Sequence, residues 1–244
     1  MGRSFTPLLL ALVLLSCGNP VKSPAPSSVE DEQPGSYWAS HPIDISDIRA
    51  AEDRFAIFAE LAVAAPEEEA VAGLDSLFNR LKAEDEVAYY VYSEWMESAF
   101  YNPFSPCRNA VLFSHAVDRI ASDGVFSPDE CEPLLQKKEW ISLNREGEKA
   151  VIPQADPEGR STLVLVLDLS CPSCREALDI LGEDPSWEGF RHLAICGGGS
   201  VPDVPQWEFS CPENFSAIFD IRMTPVFYVI GPDGVVTQGY TPVI

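Results

Sequence analysis

LVLVLDLSCPSC, Leu163 to Cys174, reads as a buried strand that runs straight into a pair of cysteines. From Leu163 to Leu169 the only polar residue is Asp168, and the turn-like DPEGR lies just ahead at 156–160. A short, β-branched and leucine-rich run is how a strand covered on both faces looks. Pro172 suits the first helical position, and REALDILG after Cys174 carries apolar residues at helical spacing. Cys171 is therefore expected at a helix N-terminus, where free N–H groups and partial positive charge stabilise a thiolate. Cys174 falls one turn further in, within reach for a disulfide.

Such a pair has other uses. It is half of a zinc site, but no second Cys/His pair follows at ligand spacing: Cys196 and Cys211 are fifteen apart, and His192 stands four before Cys196. No metal is expected. As a purely structural bridge the pair would close a two-residue gap, which removes little chain entropy and adds little stability. That leaves redox chemistry, or a scaffold that keeps the cysteines without the reaction.

Downstream, MTPVFYVIGPDGVV at 223–236 reads as Thr-Pro, strand, turn, strand. With the strand and cysteine pair ahead of it, the stretch from about 150 to 244 resembles the thioredoxin-fold family in its TlpA-like branch. The resemblance implies a central mixed sheet with flanking helices, an α/β domain over 148–244. It implies a cis proline at Pro225 beside the dithiol, with Thr224 before it, the two holding a substrate strand by edge pairing. Cys171 would attack, Cys174 would resolve, and no cofactor is needed. Strands are expected near 149–153 and at 162–169, 190–196, 226–230 and 235–239, with helices at 172–182 and 212–221. A Gly- and Pro-rich excursion fills 197–207, and WEFSCPENF reads as loop. The family's final helix has no counterpart before Ile244, so a preceding helical domain is expected to cover that sheet face.

Two positions depart from the family pattern. Ser170 stands where tryptophan usually precedes the first cysteine. Leu165 replaces the mid-strand carboxylate that helps proton transfer at the buried cysteine. Asp168 is the candidate substitute if it points inward; otherwise it is a solvated strand end.

The first residues, MGRSFTPLLLALVLLSC, form a targeting segment: Arg3, then an apolar stretch too short to span a bilayer comfortably. Its end resembles a lipoprotein signal, which would place a lipid on Cys17 after cleavage; an ordinary secretory signal is the other reading. Export permits disulfides. Residues 18–40, rich in Pro, Ser and Gly, read as an unstructured tether.

Residues 41–147 are helical by period, an all-α domain. The run at 43–65 places Ile48, Phe55, Phe58 and Leu61 largely on one face, and Pro66 ends it. Helices follow at 67–83, at 84–101, from about Cys107 to Gly124, and after Ser127–Pro128, although Pro133 leaves only one turn before it. YNPFSPCRN (101–109) and the later Asn144 to Gly147 resemble a helical domain of unknown function that precedes thioredoxin-like modules in lipoproteins of gut bacteria. Arg108 and Asn109 are read there as a structural turn and helix start, or as part of a partner-binding or dithiol-covering surface. Cys107 and Cys131 either pair or stay free. Cys196 and Cys211 either form a bridge, or Cys211 is a resolving thiol. His115 and His192 read as packed or solvated.

Net charge is −22, from 38 acidic and 16 basic residues. Such a surface repels phosphates, so nucleic acid is not an expected partner. The expected function is a membrane-tethered thiol–disulfide oxidoreductase of the cell envelope, facing the periplasm or cell surface. Its expected partners are protein substrates with disulfides or thiols and a redox partner. The alternative is a non-enzymatic binding lipoprotein on a thioredoxin-like scaffold.

Overall fold

In the computed structural model of the protein, residues 32–243 are described, apart from 152–155, 157, 198–199 and 215–216. The targeting segment and Cys17 lie outside the described residues. Among those described, no helix is long and apolar enough to cross a membrane.

Helix α1 (Pro34–Ser40) begins on a proline at its first turn. The expected tether over 18–40 is therefore corrected at its end: Tyr37 and Trp38 are buried in the helical core. Two large aromatic side chains in seven residues outweigh the polar composition around them. The backbone of α1 lies so close to Gly73 that a Cβ there would meet the Pro34 carbonyl oxygen at 2.5 Å. Arg80 donates to the carbonyls of Trp38 and His41, which satisfies acceptors at the end of α1.

Local signals set the boundaries of the following helices. Helix α2 (Ile48–Ala64) starts on Asp47, whose carboxylate accepts from Ala50 N–H. Phe55 and Phe58 face the core as expected, whereas Ile48, in the first turn, is exposed. Helix α3 (Glu67–Glu84) carries three glutamates at its positive end. Asp85 caps α4 (Glu86–Phe100), and Asn109 caps α5 (Ala110–Asp123) by accepting from Val111 and Leu112 N–H. Gly124, at φ 74°, closes α5 in the left-handed conformation that costs glycine least. A reciprocal Ser127–Glu130 capping box opens α6 (Pro128–Ile141), which continues past Pro133.

Five strands form one mixed sheet in the order β3-β2-β1-β4-β5. Strand β1 (Thr162–Asp168) is central, parallel to β2 (Arg191–Gly197) and antiparallel to β4 (Val226–Ile230). Its alternation sends Leu163, Leu165 and Leu167 to one face, under α7 (Pro172–Glu183), and Val164 and Val166 to the other. Strand β5 (Val236–Pro242) pairs antiparallel with β4.

Three local expectations are corrected. The strand near 149–153 is reduced, among its described residues, to a single bridge from Lys149 to Val235. Part of the WEFSCPENF loop is β3 (Glu208–Ser210), parallel to β2. Of the expected helix at 212–221, residues 215–216 lie outside the described residues; the others form turns and a 3-10 position at Ala217, with no α-helix among them. There Phe219 is fully buried under the sheet face of Val226 and Tyr228. A regular helix was the local preference, and burial of Phe219 overrode it.

From Glu32 onward the chain is one compact unit. On the second sheet face Phe219 is joined by Ile218, Ile221 and Tyr240, and the helical part grips the 218–223 segment beyond them.

Candidate dithiol site

At the end of β1 the chain turns sharply: Cys171 N–H donates to the Asp168 carbonyl at 3.0 Å. The turn is fixed by Ser170, whose N–H and hydroxyl both donate to Asp168 Oδ1, at 2.8 and 2.7 Å. Cys171 then stands at the N-cap of α7 with extended backbone, and Pro172 supplies the preset first helical φ.

The two thiols occupy different environments. Cys171 is partly exposed and Cys174 is fully buried. The Ser173 hydroxyl lies 3.0 Å from Cys171 Sγ. That hydroxyl, the Cys174 N–H and the Cys174 thiol hold the Cys171 thiol below its ordinary range. Burial pushes Cys174 up, opposed by the Thr224 hydroxyl and by the Asp168 N–H, which donates to Cys174 Sγ at 3.4 Å. The result is an exposed sulfur inclined to ionise above a buried sulfur that holds its proton. That is the division of labour a dithiol exchanger needs.

Thr224, just ahead of β4, meets Cys174 through its hydroxyl, and Pro225 follows it. Their peptide bond is cis. Pro225 leads into β4, whose Val226 pairs with Val166 of β1, and its carbonyl accepts from Val243 N–H at 3.1 Å. Cys171, Cys174, Thr224 and Asp168 are thus brought together, and of its two readings Asp168 takes that of a strand end whose carboxylate does not face the sulfurs. It touches Cys174 through its backbone N–H. Its carboxylate is turned to Ser170, whose hydroxyl and N–H hold it below the usual carboxylate range. A carboxylate stabilised as the anion is a poor proton acceptor. Leu165, on the α7 face, leaves that side of the strand apolar. Ser173, which sequence reasoning passed over, is the side chain hydrogen-bonded to Cys171 Sγ. Its position two residues after an N-capping cysteine is the signal that marks it.

The remaining cysteines divide. Cys196 and Cys211 form a disulfide that ties the end of β2 to the residue after β3. Cys107 and Cys131 are free and buried. His115 bonds Asp75 at 2.9 Å, and His192 lies against Trp207 and the Trp187 carbonyl. Among the described residues no cluster of His, Cys, Asp and Glu is arranged to hold a metal ion. In the YNPFSPCRN turn Asn109 is the α5 cap. Arg108 donates to the Tyr101 carbonyl and lies 4.4 Å over the Tyr240 ring of β5.

No family model matches the chain, and no curated protein matches it. Among solved structures it is similar to a thioredoxin-like protein from Bacteroides caccae, with a TM-score of 0.68 and 16% identity over 84% of this chain and 86% of that one. That covered share exceeds the sheet-bearing part of the chain, so the likeness takes in helices ahead of it. The likeness establishes a thioredoxin-like fold.

Proposed function

We propose that the protein is a thiol–disulfide oxidoreductase working through Cys171 and Cys174. The observation that carries the reading is the asymmetry of the pair. One thiol is partly exposed and lowered at a helix N-cap; the other is buried and raised; and a cis Thr-Pro stands beside them.

In the reducing direction the Cys171 thiolate attacks one sulfur of a substrate disulfide. That S–S bond breaks, and the second substrate sulfur leaves as a thiolate and takes a proton. Cys174 then gives up its proton and attacks Cys171 Sγ, releasing the first substrate sulfur. The substrate has gained two electrons and two protons, and Cys171–Cys174 is a disulfide. The oxidising direction is the reverse. The Thr224 backbone, just ahead of the cis Pro225, is offered to an extended substrate segment at the β4 end. A second protein resets the pair, and no cofactor takes part. A lipid on Cys17 would hold the protein in the cell envelope, where protein disulfides and thiols are its substrates.

The test is a redox titration of the protein from residue 18 onward, read by alkylation and mass spectrometry. One reversible Cys171–Cys174 couple between about −120 and −270 mV, the span of dithiol oxidoreductases, supports the reading. A pair that resists reduction below about −300 mV, as structural bridges do, removes it. In a companion assay Cys171→Ser abolishes disulfide reduction, and Cys174→Ser accumulates the mixed disulfide.

A further inference from the structure

One buried cluster has no part in that chemistry. It lies where the helical part meets the segment 218–225, which leads into Thr224 and Pro225. The Arg222 guanidinium lies 3.8 Å from the centre of the Tyr101 ring and 4.9 Å from that of Trp140. Arg222 also pairs with Asp220, a carboxylate only 1% exposed, and Arg108 approaches the same carboxylate at 3.9 Å. Asn144 Nδ2 donates to the Ile218 carbonyl at 2.8 Å, and the Tyr240 hydroxyl to the Met223 carbonyl at 3.5 Å. The segment is thus fastened at 218, 220, 222 and 223. The next residue is Thr224, whose hydroxyl lowers the Cys174 thiol.

This is a costly way merely to glue two parts together. Two arginines and an aspartate are withdrawn from water, and an apolar contact of the same size would adhere at least as well. A planar guanidinium held between rings and a carboxylate does something an apolar contact does not: it fixes orientation as well as position. We infer that the helical part is a positioning device for the dithiol, with Tyr101, Trp140 and Arg108 holding Arg222 and Asp220 and thereby setting Thr224 and Pro225 against Cys174. The consequence for sulfur chemistry rests on the redox reading above; the hold on the segment does not.

The experiment uses the full chain with Tyr101→Leu, Tyr101→Phe and Trp140→Leu. Trp140 is partly exposed, so its variant folds even if Tyr101→Leu does not. Among the described residues the Tyr101 hydroxyl has no hydrogen-bond partner, so Tyr101→Phe keeps the ring that faces Arg222. Two quantities are read: amide hydrogen exchange over 219–225, and the equilibrium constant of the Cys171–Cys174 couple against dithiothreitol. Loss of one half-buried cation–ring contact speeds local exchange about tenfold in each leucine variant, with β1 and β2 amides unchanged. Displacing Thr224 from Cys174 changes the surroundings of the buried sulfur, so the equilibrium constant of the couple moves by about threefold or more, roughly 15 mV. Tyr101→Phe matches the wild type in both.

Leucine variants that lose thermal stability but leave 219–225 exchange unchanged would overturn the inference, since the cluster would then be packing alone. Faster exchange with an unmoved couple would equally overturn the positioning of the dithiol. A wild-type pair that never titrates removes the redox reading, and the exchange measurement still decides whether the helical part holds the segment.

Discussion

Gly73→Ala sets two effects against each other, and the structure says which wins. Gly73 lies inside α3, where alanine is the better helix former by about 0.5–1 kcal/mol. At an exposed helical site the substitution would stabilise. Here the new Cβ would meet the Pro34 carbonyl oxygen at 2.5 Å, its carbon at 2.8 Å and the Phe58 ring at 2.9 Å. Two of these atoms are backbone of α1 and do not turn aside as a side-chain end would. Overpacking of a tight core costs about 1–3 kcal/mol, and retreat of α1 would also loosen the buried Trp38. The net expectation is destabilisation by about 1–2 kcal/mol, once the propensity gain is subtracted. For a protein of this length that lowers the melting temperature by roughly 2–8 °C, read by circular dichroism. A double-mutant cycle with Trp38→Ala locates the cause: if the clash is with α1, the cost of Gly73→Ala shrinks when α1 no longer docks tightly. A rise in melting temperature for Gly73→Ala alone would refute the close approach of α1 to α3.

Three further outcomes follow from the site and the sheet. Ser173→Ala removes the donor that contributes most to lowering Cys171, so the midpoint of its alkylation rate against pH moves upward, and less thiolate is present at neutral pH; an unmoved midpoint counts against Ser173. Cys211→Ser opens the bridge spanning fifteen residues, and urea denaturation should show a loss of about 2–3 kcal/mol, with no further loss on adding reductant. Asp168→Asn leaves the rate of disulfide exchange within about threefold, against the hundredfold or more that a working general acid–base residue supplies, and a larger loss would restore its carboxylate to a proton-transfer role.

What the sequence determined by itself was whatever is decided within a few residues. The unbroken apolar run Leu163–Leu167 announces a central strand, because only a strand covered on both faces lacks alternation. Asn109, Gly124, Ser127 and Pro172 mark helix ends, because caps act on backbone groups two or three positions away. The spacing of Cys171 and Cys174 puts one sulfur at the helix mouth and the other a turn below. Tertiary structure decided what depends on partners far along the chain. Helix α1 exists because Trp38 finds a site beside Gly73, which no local composition reveals. Cys196 meets Cys211 because β3 lies next to β2, so the bridge waits on strand order. Around Phe219 the described residues form turns and 3-10 structure in place of an α-helix, and the second sheet face takes that ring. Asp168 turns to Ser170 while its N–H serves Cys174, a choice set by the turn and by the buried sulfur together. The YNPFSPCRN turn is written plainly in the sequence, yet only the fold shows Arg108 reaching Asp220 and Tyr240, because electrostatic pairing across a buried boundary is fixed by three-dimensional approach.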